Sequence, residues 1–307
     1  MKTRVLHPEM KTGMYSHNKK NSPSLKAKID DILDRLDLLL PPKKIDPNWQ
    51  APAFFWRCFN YGGLLEAIFH PQIVSLDSLI HVEKQANALL RNTEQFLQGR
   101  SANHALLTGA RGTGKSSLIK SLIPRYSTQN LKLVQVDKSD LISLPELLNL
   151  LNPRPEKFII FCDDFSFDIG ESAYRELKTA LDGTLKPGAN NVLIYATSNR
   201  RHLIPQKMSD NLENDEVHSQ ESIEEATSLA DRFGLWLSFY SFDQDAYLAA
   251  VKSWLKKAGL PLDENAQAAA LRWAQRRGSR NGRIASQFAA DWVGRTPQER
   301  CAPDIPF

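Results

Sequence analysis

One segment of eight residues has the composition and spacing of a phosphate-binding loop. Residues 109–116 read GARGTGKS and match the pattern G-x-x-x-x-G-K-[ST] at every fixed position. They follow a short apolar run, Ala105–Thr108, and precede a helical pattern that begins at Ser117. Glycines allow successive backbone N–H groups to converge on phosphate oxygens, and the helix N-terminus adds a favourable dipole. The segment therefore predicts a binding site for the phosphates of a nucleotide.

Two side chains of this segment have distinct expected roles. Lys115 is expected to reach the outer phosphates, and Ser116 offers its hydroxyl to Mg²⁺. The residues predicted to bind the nucleotide here are Gly109, Ala110, Arg111, Gly112, Thr113, Gly114, Lys115, Ser116 and Ser117.

Two neighbouring carboxylates, Asp163 and Asp164, end a second apolar run at Phe158–Cys162. A carboxylate beside the phosphate loop can hold Mg²⁺ through the water shell of the ion, which is the role predicted for Asp163. Asp164 is then placed to orient or deprotonate an attacking water. The alternative is that one or both residues cap the helix that follows.

Asn199 follows a third apolar run, Val192–Ala196, by a few residues. At the carboxyl end of a strand its amide can hydrogen-bond a terminal phosphate or the attacking water. Asn is also common in turns for conformational reasons alone, so its spacing leaves both interpretations open.

The elements that must position these side chains form an alternating pattern of short apolar runs and helix-length segments. This pattern is typical of an α/β fold with a parallel sheet that helices cover on both faces. Beyond Ser241 the periodicity is helical to the end, which predicts a separate helical bundle. The predicted strands are Ala105–Thr108, Lys132–Val136, Phe158–Cys162, Val192–Ala196 and Leu235–Phe239.

The order of these motifs resembles that of the AAA+ ATPases over about Leu76 to Val293. The run through residues 92–117 is most similar to a bacterial subgroup of predicted AAA+ ATP-binding proteins whose role is uncharacterised. The resemblance implies a P-loop sheet of strand order 5-1-4-3-2 and a C-terminal helical lid. It also implies ATP and Mg²⁺ as cofactors, and a homo-oligomer that holds the nucleotide at a subunit interface.

The resemblance also assigns residues outside the phosphate loop. Ile80 and His81 would contact adenine, although His81 stands where the family often has Gly. Asn199 would be the sensor of the terminal phosphate, and Arg232 would be the arginine finger that reaches a neighbouring site. In the lid, Arg283 is preferred as the second sensor, with Arg280 as its competitor.

Two features depart from the family pattern. Asp164 stands where the family has Glu, and its side chain is one methylene shorter, so we expect slow hydrolysis. Residues 137–157 contain no aromatic-apolar-Gly triplet of the kind that AAA+ unfoldases use to grip peptide. A threading role with a protease partner is therefore disfavoured.

We divide the chain into four parts. Residues 1–25 are a basic, disordered tail, and 26–75 form a mainly helical region rich in aromatic residues. The nucleotide-binding core is 76–241 and the lid is 242–307. The aromatic stretch between Ile45 and Pro71 is expected to form a small satellite core, with a base-stacking surface as the alternative.

Composition narrows the class of protein further. With 42% hydrophobic and 24% charged residues, the chain has the composition of a folded soluble protein. No run approaches the roughly 18 apolar residues of a membrane span. The three cysteines are too widely spaced for a zinc ribbon or a redox pair, which favours a reducing cytoplasm.

The sequence therefore predicts a cytoplasmic Mg-ATP-dependent ATPase that remodels an unidentified protein client, without a membrane partner. The first alternative is a nucleic-acid-associated loader or initiator, since the first 28 residues hold seven Lys or Arg and one Glu. The second is a nucleotide-dependent scaffold with little hydrolysis.

Overall fold

A computed structural model describes residues 46–59, 62–165, 172–182, 191–199 and 231–301, together with Leu25, Lys26, Ile29 and Ile32. The chain divides into two compact units, residues 1–44 and 45–307, and the fold below is that of the second. The predicted basic tail lies outside the described residues except for Leu25. Our four-part division of the chain stays a prediction.

A seven-stranded sheet in the order β2-β1-β4-β5-β6-β3-β7 forms the centre of the fold. In this spatial order, every pair of neighbouring strands between β1 and β7 is parallel. The β2–β1 pair at the edge is antiparallel. The strands are β1 (Ala53–Phe59), β2 (Gly62–Ile68), β3 (Ala105–Gly109), β4 (Leu131–Val136), β5 (Lys157–Cys162), β6 (Val192–Ser198) and β7 (Leu235–Phe239).

The five predicted strands all form, and their ends differ from the predicted ends by at most two residues. Counted from β3, their spatial order is 5-1-4-3-2, so the architecture implied by the AAA+ resemblance is confirmed. The reason is visible in β5, where Ile159 and Phe161 pack into one core layer while Phe158 and Ile160 pack into the other. A strand buried on both faces must be apolar at every position, which is the pattern that the sequence displays.

Residues 53–68 correct the expectation of a mainly helical N-terminal region. They form the hairpin β1–β2, which extends the sheet beyond β4, and Phe54 and Trp56 are fully buried in its main core rather than in a satellite. Aromatic residues favour strands because their side chains fit a half-buried pleated surface. Gly63 makes room for the Trp56 ring, since a Cβ there would lie 1.8 Å from a ring carbon.

Helices cover both faces of this sheet, as predicted. One core layer contains α1, α2 and α3, and the other contains α4 and α5. The first of them ends at a glycine, because Gly99 has φ +71° and its N–H donates to the Phe96 carbonyl. These helices are α1 (Glu83–Leu97), α2 (Lys115–Lys120), α3 (Leu122–Tyr126), α4 (Leu144–Leu151) and α5 (Ser172–Asp182).

The C-terminal helices form the predicted bundle with a hydrophobic core of its own, centred on Tyr247, Phe288 and Trp292. Asp243, Asp263 and Asn281 cap the first three of them by accepting a backbone N–H three residues on. Within the described part of the chain, no helix combines the length and apolar character needed to cross a bilayer. The bundle contains α6 (Gln244–Lys257), α7 (Glu264–Arg276), α8 (Gly282–Gly294) and α9 (Pro297–Cys301).

Candidate active site

A cleft of about 950 Å³ brings the loop before α2 together with residues that follow β5 and β6 and with the helical lid. Its other wall is an irregular stretch, residues 72–80, that leads into α1. The cleft lies at the carboxyl ends of parallel strands, where open α/β sheets bind their ligands. Of the predicted nucleotide-binding residues, those that line it are Ile80, Arg111, Gly112, Thr113, Gly114, Lys115, Ser116, Ser117 and Arg283.

The loop takes its shape from backbone conformations that favour glycine. Gly109, Gly112 and Gly114 have φ values of +138°, +77° and +100°. Gly109 also packs directly on β7, since a Cβ there would lie 1.9 Å from the Phe239 carbonyl oxygen. A side chain at Gly109 would therefore push the loop away from the sheet that holds it.

Lys115 has only 5% of its surface exposed, and its ammonium group donates three hydrogen bonds. The acceptors are the carbonyl oxygens of Gly109 and Ala110, at 2.9 and 2.8 Å, and Oδ1 of Asn199 at 3.1 Å. Burial lowers the pKa of Lys115, and the nearby carboxylates of Asp163 and Asp164 oppose that shift. The structure thus holds one cation at the centre of the loop, beside both predicted acidic residues.

Ser116 and Asp163 meet at the point where an ion would be bound. The Ser116 hydroxyl donates to Asp163 Oδ1 at 2.6 Å, and the Thr197 hydroxyl donates to the same oxygen at 2.5 Å. A hydroxyl and one carboxylate suit Mg²⁺, which takes its remaining ligands from water and substrate phosphates. Among the described residues there is no cluster of three His, Cys, Asp or Glu that could hold a metal alone. The donor set therefore fits Mg²⁺ bound together with a phosphate.

Asp164 has an unusual backbone conformation, with φ +52°. Its N–H donates to Thr197 Oγ1 at 3.1 Å and to Asp163 Oδ1 at 3.2 Å. Its carboxylate accepts a short hydrogen bond from Asn199 Nδ2 at Oδ1, while Oδ2 lies 3.6 Å from Arg111 Nη2. The helix cap considered for the acidic pair concerns residues outside the described part of the chain.

Not every predicted residue lines the cleft. His81 has φ +59°, and its ring centroid lies 6.1 Å from that of Phe242, beside the cleft rather than in its wall. Arg232, just before β7, and Arg280 are likewise not among the lining residues.

Arg283 follows Gly282, whose N–H donates to the Gly112 carbonyl at 2.9 Å. The lid is therefore joined directly to the phosphate loop at the start of α8.

The structure adds residues that the sequence patterns did not single out. Thr197 is 2% exposed and bonds both acidic residues, although in the sequence it looks like an ordinary strand residue. Trp254 and Lys257 of α6 line the cleft, with the Lys257 ammonium 4.7 Å from the Trp254 ring centroid. Their spacing in the sequence is only that of a lid helix, so no local signal could have placed them here.

Three solved structures illustrate what the fold is similar to. The Holliday junction branch migration motor RuvB of Thermotoga maritima is 16% identical, with a TM-score of 0.47 over 70% of this chain and 63% of that one. ORC1 of Aeropyrum pernix in complex with DNA is 16% identical, with a TM-score of 0.49 over 76% of this chain and 63% of that one. The replication initiator DnaA bound to AMPPCP and single-stranded DNA is 16% identical, with a TM-score of 0.49 over 72% of this chain and 65% of that one. The matches span less than two thirds of each of these chains.

No curated protein sequence matches this chain. A protein family described as "Protein of unknown function (DUF815)" matches residues 49–296, which includes the hairpin, the sheet, the cleft and the lid as far as α8. The chain belongs to the DUF815 family.

Proposed function

We propose that this protein is an ATPase that binds Mg-ATP and hydrolyses it at a subunit interface to remodel a partner. The observation that carries the proposal is the hydrogen-bonded set of Lys115, Ser116, Asp163, Asp164 and Asn199 that lines one cleft. A buried cation, a hydroxyl beside a carboxylate, and a second carboxylate held by an amide are the groups that phosphoryl transfer requires.

Each group has a task that its position supports. The backbone N–H groups of the loop and the Lys115 ammonium bind the phosphates, while Ser116 and Asp163 hold Mg²⁺. Bound Mg²⁺ supplies positive charge that neutralises the phosphate oxygens as the bond breaks. Asp164 orients the attacking water or accepts its proton, and Asn199 fixes the Asp164 carboxylate. The short Asp164 side chain supports slow turnover.

The interface role rests on Arg232. This residue precedes β7 and does not line the cleft of its own chain. An arginine finger supplied by a neighbouring subunit would have this property, and it would stabilise charge on the transferring phosphoryl group. We therefore propose a homo-oligomer whose sites are completed between subunits.

The nucleoside end of the cleft lies between residues 72–80 and the lid. Ile80 is the apolar residue proposed to contact the base, with His81 beside it. Arg283 rather than Arg280 is proposed to sense the phosphates from the lid, because Arg283 lines the cleft and Arg280 does not.

Two other functions have specific support. Three exposed arginines at or shortly after the end of α7, Arg276, Arg277 and Arg280, supply positive charge that suits a nucleic acid backbone. In that case DNA would stimulate turnover, or would bind with an affinity that falls steeply with salt. A nucleotide-dependent scaffold is supported by the contacts of both Asp164 oxygens, because Asn199 at Oδ1 and the Arg111 guanidinium near Oδ2 compete with an attacking water for the carboxylate.

The experiment that tests the leading proposal uses a trapped complex. Asp164→Asn is expected to keep ATP binding and lose turnover, so it should retain a client in the presence of ATP. The same capture with Lys115→Ala, which should not bind ATP, is the control. Equal turnover by Asp164→Asn and the unmodified protein would refute the assignment of Asp164.

A further inference from the structure

Arg111 lies in the phosphate loop and contacts the carboxylate of Asp164. This contact is the last in a series that also begins in the loop, at Lys115. Lys115 donates to Asn199 Oδ1 at 3.1 Å, Asn199 Nδ2 donates to Asp164 Oδ1, and Asp164 Oδ2 lies 3.6 Å from Arg111 Nη2. The series begins and ends in the same loop. Lys115 and Asn199, two of the groups expected to contact the phosphates, are thus engaged with protein partners instead.

This arrangement restricts what Asp164 can do. A carboxylate that orients an attacking water needs one oxygen directed to that water. Here Asn199 occupies Oδ1 and Arg111 faces Oδ2. The Asn199 contact fixes the carboxylate and can persist during catalysis, whereas the Arg111 guanidinium, 3.6 Å from Oδ2, is the partner that a bound nucleotide can draw away.

Two properties of Arg111 make its departure feasible. Its side chain is 75% exposed and that of Asp164 is 55% exposed, so water screens their attraction and the pair is easily exchanged. Arg111 also lines the cleft, one residue from Gly112. A terminal phosphate carries more negative charge than a carboxylate, and the planar guanidinium matches phosphate geometry well.

We infer that Arg111 is a positioning residue that senses the terminal phosphate of the nucleotide. It pairs with Asp164 when that phosphate is absent and transfers to the phosphate when ATP binds, which releases Asp164 Oδ2 to face the attacking water. ADP lacks the terminal phosphate, so Arg111 stays on Asp164. The inference deepens the proposed function and rests on it.

The consequence for affinity is specific. Because Arg111 has to leave Asp164 before it contacts ATP, the carboxylate competes with the nucleotide for the same guanidinium. Removing the negative charge with Asp164→Asn should therefore tighten ATP binding, and part of that gain should require Arg111. Any gain from the charge change alone would be the same with or without Arg111.

The test is a double-mutant cycle of nucleotide affinity on the full chain. The variants are Arg111→Ala, Asp164→Asn and the pair together, each titrated with ATP and with ADP by calorimetry in Mg²⁺. We expect Arg111→Ala to weaken ATP binding about tenfold and ADP binding much less. The gain from Asp164→Asn should be smaller in the Arg111→Ala background, and Arg111→Lys should restore part of the ATP preference.

A matched control and two refuting results complete the test. Arg91→Ala removes an exposed arginine of α1 that does not line the cleft, so it should change neither affinity. Equal losses for ATP and ADP, or additive effects in the cycle, would overturn the inference and leave the ATPase proposal standing. Absence of ATP binding by the unmodified protein would overturn both.

Discussion

Replacing Gly112 with Ala tests the contact between the phosphate loop and the lid. Gly112 has φ +77°, where an L-residue costs roughly 1–2 kcal/mol. An added Cβ would also lie 2.6 Å from Asn281 Oδ1, which caps α8 by accepting the Ile284 N–H. Either Asn281 rotates and the cap is lost, at about 1 kcal/mol, or the lid shifts and the Gly282 N–H leaves the Gly112 carbonyl, at a similar cost.

The expected total for Gly112→Ala is therefore about 2–3 kcal/mol of unfolding free energy. Gly99→Ala is the matched control, because Gly99 has a similar φ of +71° but a Cβ there would meet nothing within 4 Å. Equilibrium unfolding in urea, followed by tryptophan fluorescence, measures both variants. A Gly112→Ala protein no less stable than Gly99→Ala would refute the claim that this loop and the lid are in firm contact.

Three further predictions follow from individual contacts. Thr197→Val keeps side-chain volume but removes the hydroxyl that bonds Asp163, so Mg-dependent hydrolysis should fall roughly tenfold in steady-state assays; unchanged kcat would contradict this. Burial lowers the pKa of His104 to about 4, and its Nδ1 accepts the Ile194 N–H, so neutral His104 stabilises the fold. That stabilisation is complete above pH 6.5 and is lost as the pH falls towards 4, by about 3 kcal/mol, and a His104→Gln protein should lack this part of the pH dependence of urea unfolding. Arg232→Ala should lower kcat on the order of 10³-fold while ATP affinity stays unchanged, and an unaltered kcat would remove the finger assignment.

The sheet could be predicted because its strands are apolar throughout their length. Ile160 and Phe161 face opposite layers and both are fully buried, so the run carries its own signal. The phosphate loop was equally predictable, because its glycines and Lys115 serve a geometry that lies within eight consecutive residues. Local sequence is enough to predict a feature whose geometry depends on neighbouring residues alone.

The hairpin could not be predicted, because its burial depends on a distant strand. Trp56 is buried in a sheet that β1 joins by pairing with β4, and the aromatic residues around it carry no mark of that partner. The sequence suggested a mainly helical region with a small aromatic satellite core instead. The fold of this segment is decided by the open edge of the sheet rather than by its own pattern.

The supporting residues of the site were also hidden for a physical reason. Thr197 reaches Asp163 because β5 and β6 pair in a register that sets Cys162 beside Ala196. Arg111 lies near Asp164 although its loop is distant in sequence. Sequence spacing indicates which residues end neighbouring strands, but the contacts between them depend on register.

The central claim is that Lys115 and its loop bind the phosphates of ATP. Calorimetric titration of ATP into the unmodified protein, Lys115→Ala, and Lys252→Ala tests it most directly, since Lys252 is an exposed lysine of α6 that does not line the cleft. We predict binding at micromolar ATP for the unmodified protein and for Lys252→Ala, and a loss on the order of 100-fold for Lys115→Ala. No binding by the unmodified protein, or equal binding by Lys115→Ala, would contradict the account.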